Sequence, residues 1–188
     1  MLGQRIEREA KAKRELNTLI HETYAQSEML LLFIKNLLTE LASHKIESEY
    51  WWSCFLHEAN GRNDGEEKSE DEKLYYLNNS TVTEQGHKCR LKLGEVLADY
   101  YGKMSKLNII TKKNVDLSFV PLLITSTAFP EAKKIEIKTI GDELDSDAML
   151  ADYNTKRIEL VSQYLDLFKE LDKLSGSFKS VCITTDEE

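Results

Sequence analysis

Apolar residues return along the first third of the chain at alternating four- and three-residue steps. Leu16, Ile20, Thr23, Ser27, Leu30, Ile34, Leu37, Leu41 and His44 share one register. This heptad seam, with two small polar breaks at Thr23 and Ser27, predicts one long helix that packs against another helix. Neither proline nor glycine occurs between Gln4 and Asn60. Fully helical, that stretch would extend roughly 85 Å at about 1.5 Å per residue. Leu19, Phe33 and Leu38 widen the apolar stripe, which favours a bundle of three or four helices over a two-stranded coil. Tyr50, Trp51, Trp52, Phe55 and Leu56 form a bulky cluster near the end of the helix. Such residues either anchor an interface or cap an internal core.

The predicted order is a long coiled-coil helix over 1–58, an acidic flexible loop over 59–73 and a second helical segment over 74–108. An extended connector over 109–147, a C-terminal helix over 148–175 and an acidic tail over 176–188 complete it. The loop reads NGRNDGEEKSEDEK, two glycines and turn residues followed by acids; it also exposes Ser69 as a conceivable phosphosite. In the second segment LYYLNNST is ambiguous, but Cys89, Leu93, Val96, Tyr100, Met104 and Leu107 again step by four and three. Gly94 and Gly102 weaken that helix by about 1 kcal/mol each relative to alanine. The connector holds both prolines, Pro121 and Pro130, and alternates around Ile135 and Ile137. That pattern suits an extended segment or a small hairpin. GDELDSD reads as a turn and an acid-rich helix start. In the last helix Ile158, Val161, Leu165 and Phe168 carry the seam, broadened by Tyr164, Leu167, Leu171 and Leu174, and SGSFKS is expected to end it. The fold class is therefore all-α: an elongated helical hairpin or coiled-coil bundle with a Pro-containing connector.

Charge narrows the partners. The formal net charge is −8 and 31% of residues are charged. A nucleic-acid ligand would need a basic footprint that this balance lacks, and an anionic membrane is disfavoured for the same reason. Only Arg5–Arg14 gathers positive charge, and its interspersed glutamates read as i,i+3 and i,i+4 ion pairs on a solvated helix face. The charged N-terminus does not resemble a signal peptide, and the apolar run Met29–Leu38 is too short to span a bilayer. Three widely spaced cysteines, Cys54, Cys89 and Cys182, form no disulfide framework. The expectation is a cytoplasmic or nuclear protein.

Catalytic signatures are weak. Cys54 and His57, with His87 and Cys89, make a tetrahedral zinc set on paper, although the one-residue spacing of His87 and Cys89 is unusual for structural zinc. The same residues could pair as thiol and imidazole, but nothing supplies an orienting group or an oxyanion site. No phosphate loop or dinucleotide fingerprint occurs. GDELDSD lacks the central glycine and terminal glutamate of a calcium loop. The reading is a non-enzyme with no cofactor and no metal.

The seam Leu16–His44, the connector VDLSFVPLLITSTAFPEAKKIEIKTI and the final helix 148–174 together resemble the small coiled-coil subunits of augmin. That complex recruits γ-tubulin to existing spindle microtubules. The resemblance is one of architecture across most of the chain; no motif matches residue by residue and no functional residues carry over. It implies a subunit of a hetero-oligomer of coiled-coil proteins that supports mitotic spindle assembly, with the γ-tubulin complex as an indirect partner and the cytoskeleton as location. Microtubule surfaces are acidic, as is this chain, so a partner would make the filament contact. Kinetochore linker subunits share the look. A self-contained helical adaptor with a groove lined by Trp51, Trp52 and Phe55 is the other alternative. The residues expected to meet partners are Leu16, Ile20, Leu30, Ile34, Leu37, Leu41, Trp51, Trp52 and Phe55.

Overall fold

The computed structural model describes residues 2–63, 65–125 and 129–183. It is an all-α bundle built from three long helices, α1 (Leu2–Gly61), α2 (Glu70–Thr111) and α4 (Ser146–Ile183). A short helix α3 (Phe119–Ile124) and a two-stranded hairpin, β1 (Thr139–Ile140) with β2 (Glu143–Leu144), lie between α2 and α4. The chain divides into two units, and each long helix contributes to both. One unit comprises Met1–Lys35, Gly94–Ala128 and Phe168–Glu188; the other comprises Asn36–Leu93 and Phe129–Leu167.

In the first unit the core is formed by Ile20, Leu31 and Ile34 of α1, Leu97, Tyr100, Met104 and Leu107 of α2, and Leu171 and Phe178 of α4. Val120 and Leu123 of α3 are buried in this unit as well. Lys35 lies 5.4 Å from the Phe168 ring, and seven residues earlier Glu28 accepts a hydrogen bond from Ser175, seven residues later. These pairs run in opposite order, so α1 and α4 are antiparallel. The Tyr100 hydroxyl donates to the Leu171 carbonyl at 2.9 Å and ties α2 to α4. At the end of α2, Lys112 adopts φ +56°, the left-handed conformation that closes many helices. Asn108 braces the turn by exchanging two hydrogen bonds with Val115, at 2.9 and 3.0 Å.

In the second unit α1 and α2 pair antiparallel. Trp51 stacks on Tyr75 with centroids 6.0 Å apart, Asn79 donates to the Ser48 carbonyl at 2.8 Å, and the Cys89 thiol contacts the Leu37 carbonyl at 3.4 Å. A Cβ added at Gly86 would stand 3.3 Å from the His44 Cβ, so this glycine permits a close helix approach. The connector is pinned to the helices: Ser53 donates to the Ile135 carbonyl at 3.0 Å, and Asp152 accepts from the Glu136 amide at 2.9 Å. Gly141, at φ +63°, turns the hairpin without the penalty other residues incur there. Asp145 then caps α4, its carboxylate accepting from the Ala148 amide at 3.0 Å.

Several sequence expectations change. The acidic run is not all loop, because α1 continues to Gly61 and Glu70–Lys73 form the first turn of α2. Ser69 is the reason: its hydroxyl accepts from the Glu72 amide at 3.0 Å, and acids in a first turn meet the positive end of the helix dipole. SGSFKS does not end the last helix; α4 runs through it to Ile183, with Ser175 and Phe178 buried. Residues 184–188, expected as a tail, lie outside the described residues. Pro121 falls in the first turn of α3, where an amide donor is dispensable. Ile137 is exposed although Ile135 is buried, so 135–137 is a clamped extended segment and not a strand. In α4 the core register is Leu160, Tyr164, Leu171, Ser175, Phe178 and Cys182, whereas Ile158 faces solvent.

Two substitutions calibrate this packing. Leu38→Ala should destabilise the protein by about 3 kcal/mol, the usual cost of emptying a buried leucine site. Asp145→Ala should cost about 1 kcal/mol through the lost cap. Urea denaturation followed by circular dichroism measures both.

Candidate partner-binding surface

The structure separates the nine residues expected at an interface. Ile20, Ile34 and Leu41 are buried inside the chain itself and are not offered to a partner. Leu30 and Leu37 are half-buried, because the seam drifts: Leu31 and Leu38, one residue on, occupy the core. A straight helix has 3.6 residues per turn, so a 3.5-residue register rotates by about 20° per heptad. Leu16 and Trp52 are exposed, while Trp51 and Phe55 are half-buried.

The aromatic cluster is split between two faces. Trp51 sits between Tyr50 and Tyr75, with Tyr50 edge-on to Tyr153 of α4 at 5.5 Å; it caps the internal core of its unit. Burial raises the Tyr50, Tyr75 and Tyr153 hydroxyls above their ordinary range. Trp52 instead stacks on Phe55 at 5.1 Å, and Phe55 tilts against Tyr76 at 5.6 Å, on an outward face where Trp52 and Tyr76 are exposed. The groove expected from Trp51, Trp52 and Phe55 acting together therefore does not form.

The larger outward apolar feature is in the other unit. Met29, Leu32 and Phe33 are 63%, 62% and 58% exposed, on the side of α1 opposite its buried positions Ser27, Leu31 and Ile34. Met29, Leu30 and Phe33 floor a groove of about 390 Å³, rimmed by Gln26, Asp99 and Lys103, with Lys103 donating to Gln26 at 2.7 Å. An apolar floor with a polar rim is the arrangement of a protein interface. Sequence reasoning placed Phe33 on the core side and missed Met29 and Leu32. The available signal was the unbroken apolar run Met29–Ile34, since a helix apolar all round cannot bury every face in one bundle.

The proposed zinc or thiol set is not assembled. Cys54 and Cys89 are buried on opposite helices, His87 is exposed, and His57 contacts the Asp142 carbonyl at 3.3 Å. Among the described residues no three His, Cys, Asp or Glu side chains are grouped to hold a metal ion. Burial pushes both thiols up to about 11, so at neutral pH they remain protonated and poorly nucleophilic. The basic N-terminal stretch is a solvated helix face carrying an Arg5–Glu9 pair at 2.9 Å. No helix among the described residues is long and apolar enough to cross a membrane.

No protein-family model matches the chain, and neither a curated protein nor a solved structure shows significant similarity to it.

Two measurements follow from this surface. Phe33→Glu should change stability by less than about 0.5 kcal/mol, as expected for an exposed position; a larger loss by urea denaturation would make Phe33 a core residue. Cys54 and Cys89 should react with Ellman's reagent at pH 8 only when urea opens the fold. Rapid labelling of the native chain would contradict their burial.

Proposed function

We propose that the chain is a non-enzymatic interaction subunit: a helical bundle that joins other coiled-coil subunits in a hetero-oligomer by receiving a partner helix on the Met29–Leu32–Phe33 face. The observation that carries this reading is the outward position of those three large apolar side chains, two of which, Met29 and Phe33, line a groove with a polar rim. Patches of this kind mark interaction sites, and an amphipathic partner helix fits such a groove. The process is taken from the architectural resemblance to augmin subunits: spindle assembly and nucleation of microtubules from microtubules through γ-tubulin recruitment.

A second reading has its own support. Ile20, Ile34 and Leu41 are satisfied within the chain, as they would be in an adaptor that folds alone and then captures a partner.

Affinity purification of the tagged chain from its own cells, with mass spectrometry, tests both. A fixed set of coiled-coil proteins with γ-tubulin supports the augmin-like assembly, and kinetochore proteins would move the subunit to a different process. Substoichiometric partners around a stable monomer favour the adaptor. In either case Met29→Glu with Phe33→Glu should abolish co-purification while leaving helicity intact. Undiminished capture by that double variant would refute the proposed surface.

A further inference from the structure

A second feature lies in the other unit. The last turn of α1, residues 66–69, the first turn of α2 and the β1–β2 hairpin enclose a cavity of about 730 Å³. That is within the usual range for small-ligand sites, roughly 300–1,000 Å³. Its walls carry five carboxylates, Glu58, Glu66, Glu67, Glu72 and Asp142, against the Arg62 guanidinium and the His57 ring. The C-terminal end of α1 opens on the same space and has no basic side chain in its last turn. Its free carbonyls therefore add to the negative potential.

Acidic walls alone would be an ordinary solvated surface; Glu72 makes this one different. It is 1% exposed, and its Oε2 stands 3.5 Å from Arg62 Nη1. Its Oε1 is buried and has no hydrogen-bond partner among the described residues. The Ser69 hydroxyl accepts from the Glu72 amide, as in a reciprocal cap, but no donor among the described residues reaches Glu72 Oε1 in return. A buried carboxylate oxygen without a donor is costly, and native proteins seldom leave one so. Glu66 is placed differently: Asn63 donates to it from both side chain and backbone, at 2.9 and 3.2 Å, and holds its carboxyl below the usual range.

The geometry of the walls suits an organic cation better than a metal ion. The carboxylates are dispersed around the walls, and no three of them are grouped to coordinate one ion. An ammonium group on a flexible chain needs no such convergence. It offers three donors to one carboxylate and leaves further positive charge for the others.

We propose that this cavity binds an alkylammonium ligand, one ammonium group donating to Glu72 Oε1 and its chain lying between Glu58, Glu67 and Asp142. A free linear polyamine and a lysine side chain of a basic peptide carry the same group.

Isothermal titration of the full chain with spermidine, with tetralysine and with magnesium chloride tests this. The expected result is saturable one-to-one binding of spermidine, tetralysine or both, weakened at least tenfold by Glu72→Gln. Tighter spermidine identifies a free polyamine as the source, and tighter tetralysine a basic peptide. If Glu72→Gln unfolds by circular dichroism, Glu58→Gln with Glu67→Gln replaces it and should also weaken binding at least tenfold. Absence of saturable binding by both amines overturns the proposal. So does equal affinity in wild type and the folded variant, or displacement of the amine by equimolar magnesium, which would reduce the site to diffuse negative charge. The Met29 and Phe33 substitutions lie in the other unit and should leave amine binding unchanged, so this site and the partner surface stand or fall separately.

Discussion

Burial of one continuous stripe on each of α1, α2 and α4 is the interaction on which the rest depends. In each unit the helices supply side chains to a shared core, and helices this long gain most of their stability from such packing rather than from propensity. Leu93, Leu97, Met104 and Leu107 are fully buried on α2. They hold that helix despite Gly94 and Gly102, whose combined propensity cost of about 2 kcal/mol is well below what burial of the four side chains contributes.

The core is not uniformly apolar, and most of its polar groups are placed where partners exist. Thr23 and Ser27 interrupt the α1 stripe but return their hydroxyls to the carbonyls of Leu19 and Tyr24, each at 2.7 Å. Ser175 gives its hydroxyl to Glu28, and Tyr100 gives its own to Leu171. Burial keeps the Tyr100 hydroxyl protonated far above its ordinary range. The Ser175–Glu28 and Tyr100–Leu171 contacts need one register between helices, because a shift of one residue would strand a polar group in the core. Two buried side-chain atoms among the described residues stand apart, His44 Nδ1 and Glu72 Oε1, which have no hydrogen-bond partner; the second belongs to a residue lining the acidic cavity.

The same constraint explains the outward surfaces. A bundle core accepts one face of each helix, so the run Met29–Ile34 must direct half of its bulk elsewhere. Trp52, Phe55 and Tyr76 meet the same fate at the edge of the α1–α2 pair. The two surface features differ in kind. One is an open groove with an apolar floor; the other is a larger, half-open cavity with acidic walls.

Local pattern determined the three long helices, the all-α class and the α2 core positions Cys89 to Leu107, because heptad spacing and the absence of breakers act along a single segment. The acid-rich start of α4 was legible for the same reason, since a cap is a contact between near neighbours. Tertiary structure decided which apolar face turned inward. Leu38 replaced Leu37, Leu160 replaced Ile158, and Phe33 went to solvent, because the azimuth of a helix is set by the neighbours it meets. The continuation of α4 through SGSFKS is also a tertiary outcome, as burial of Phe178 and the Ser175–Glu28 contact outweigh weak local propensity. The cavity was legible least of all. Its walls come from a helix end, a loop, a helix start and a hairpin separated by up to 85 residues, and only folding brings His57 to Asp142.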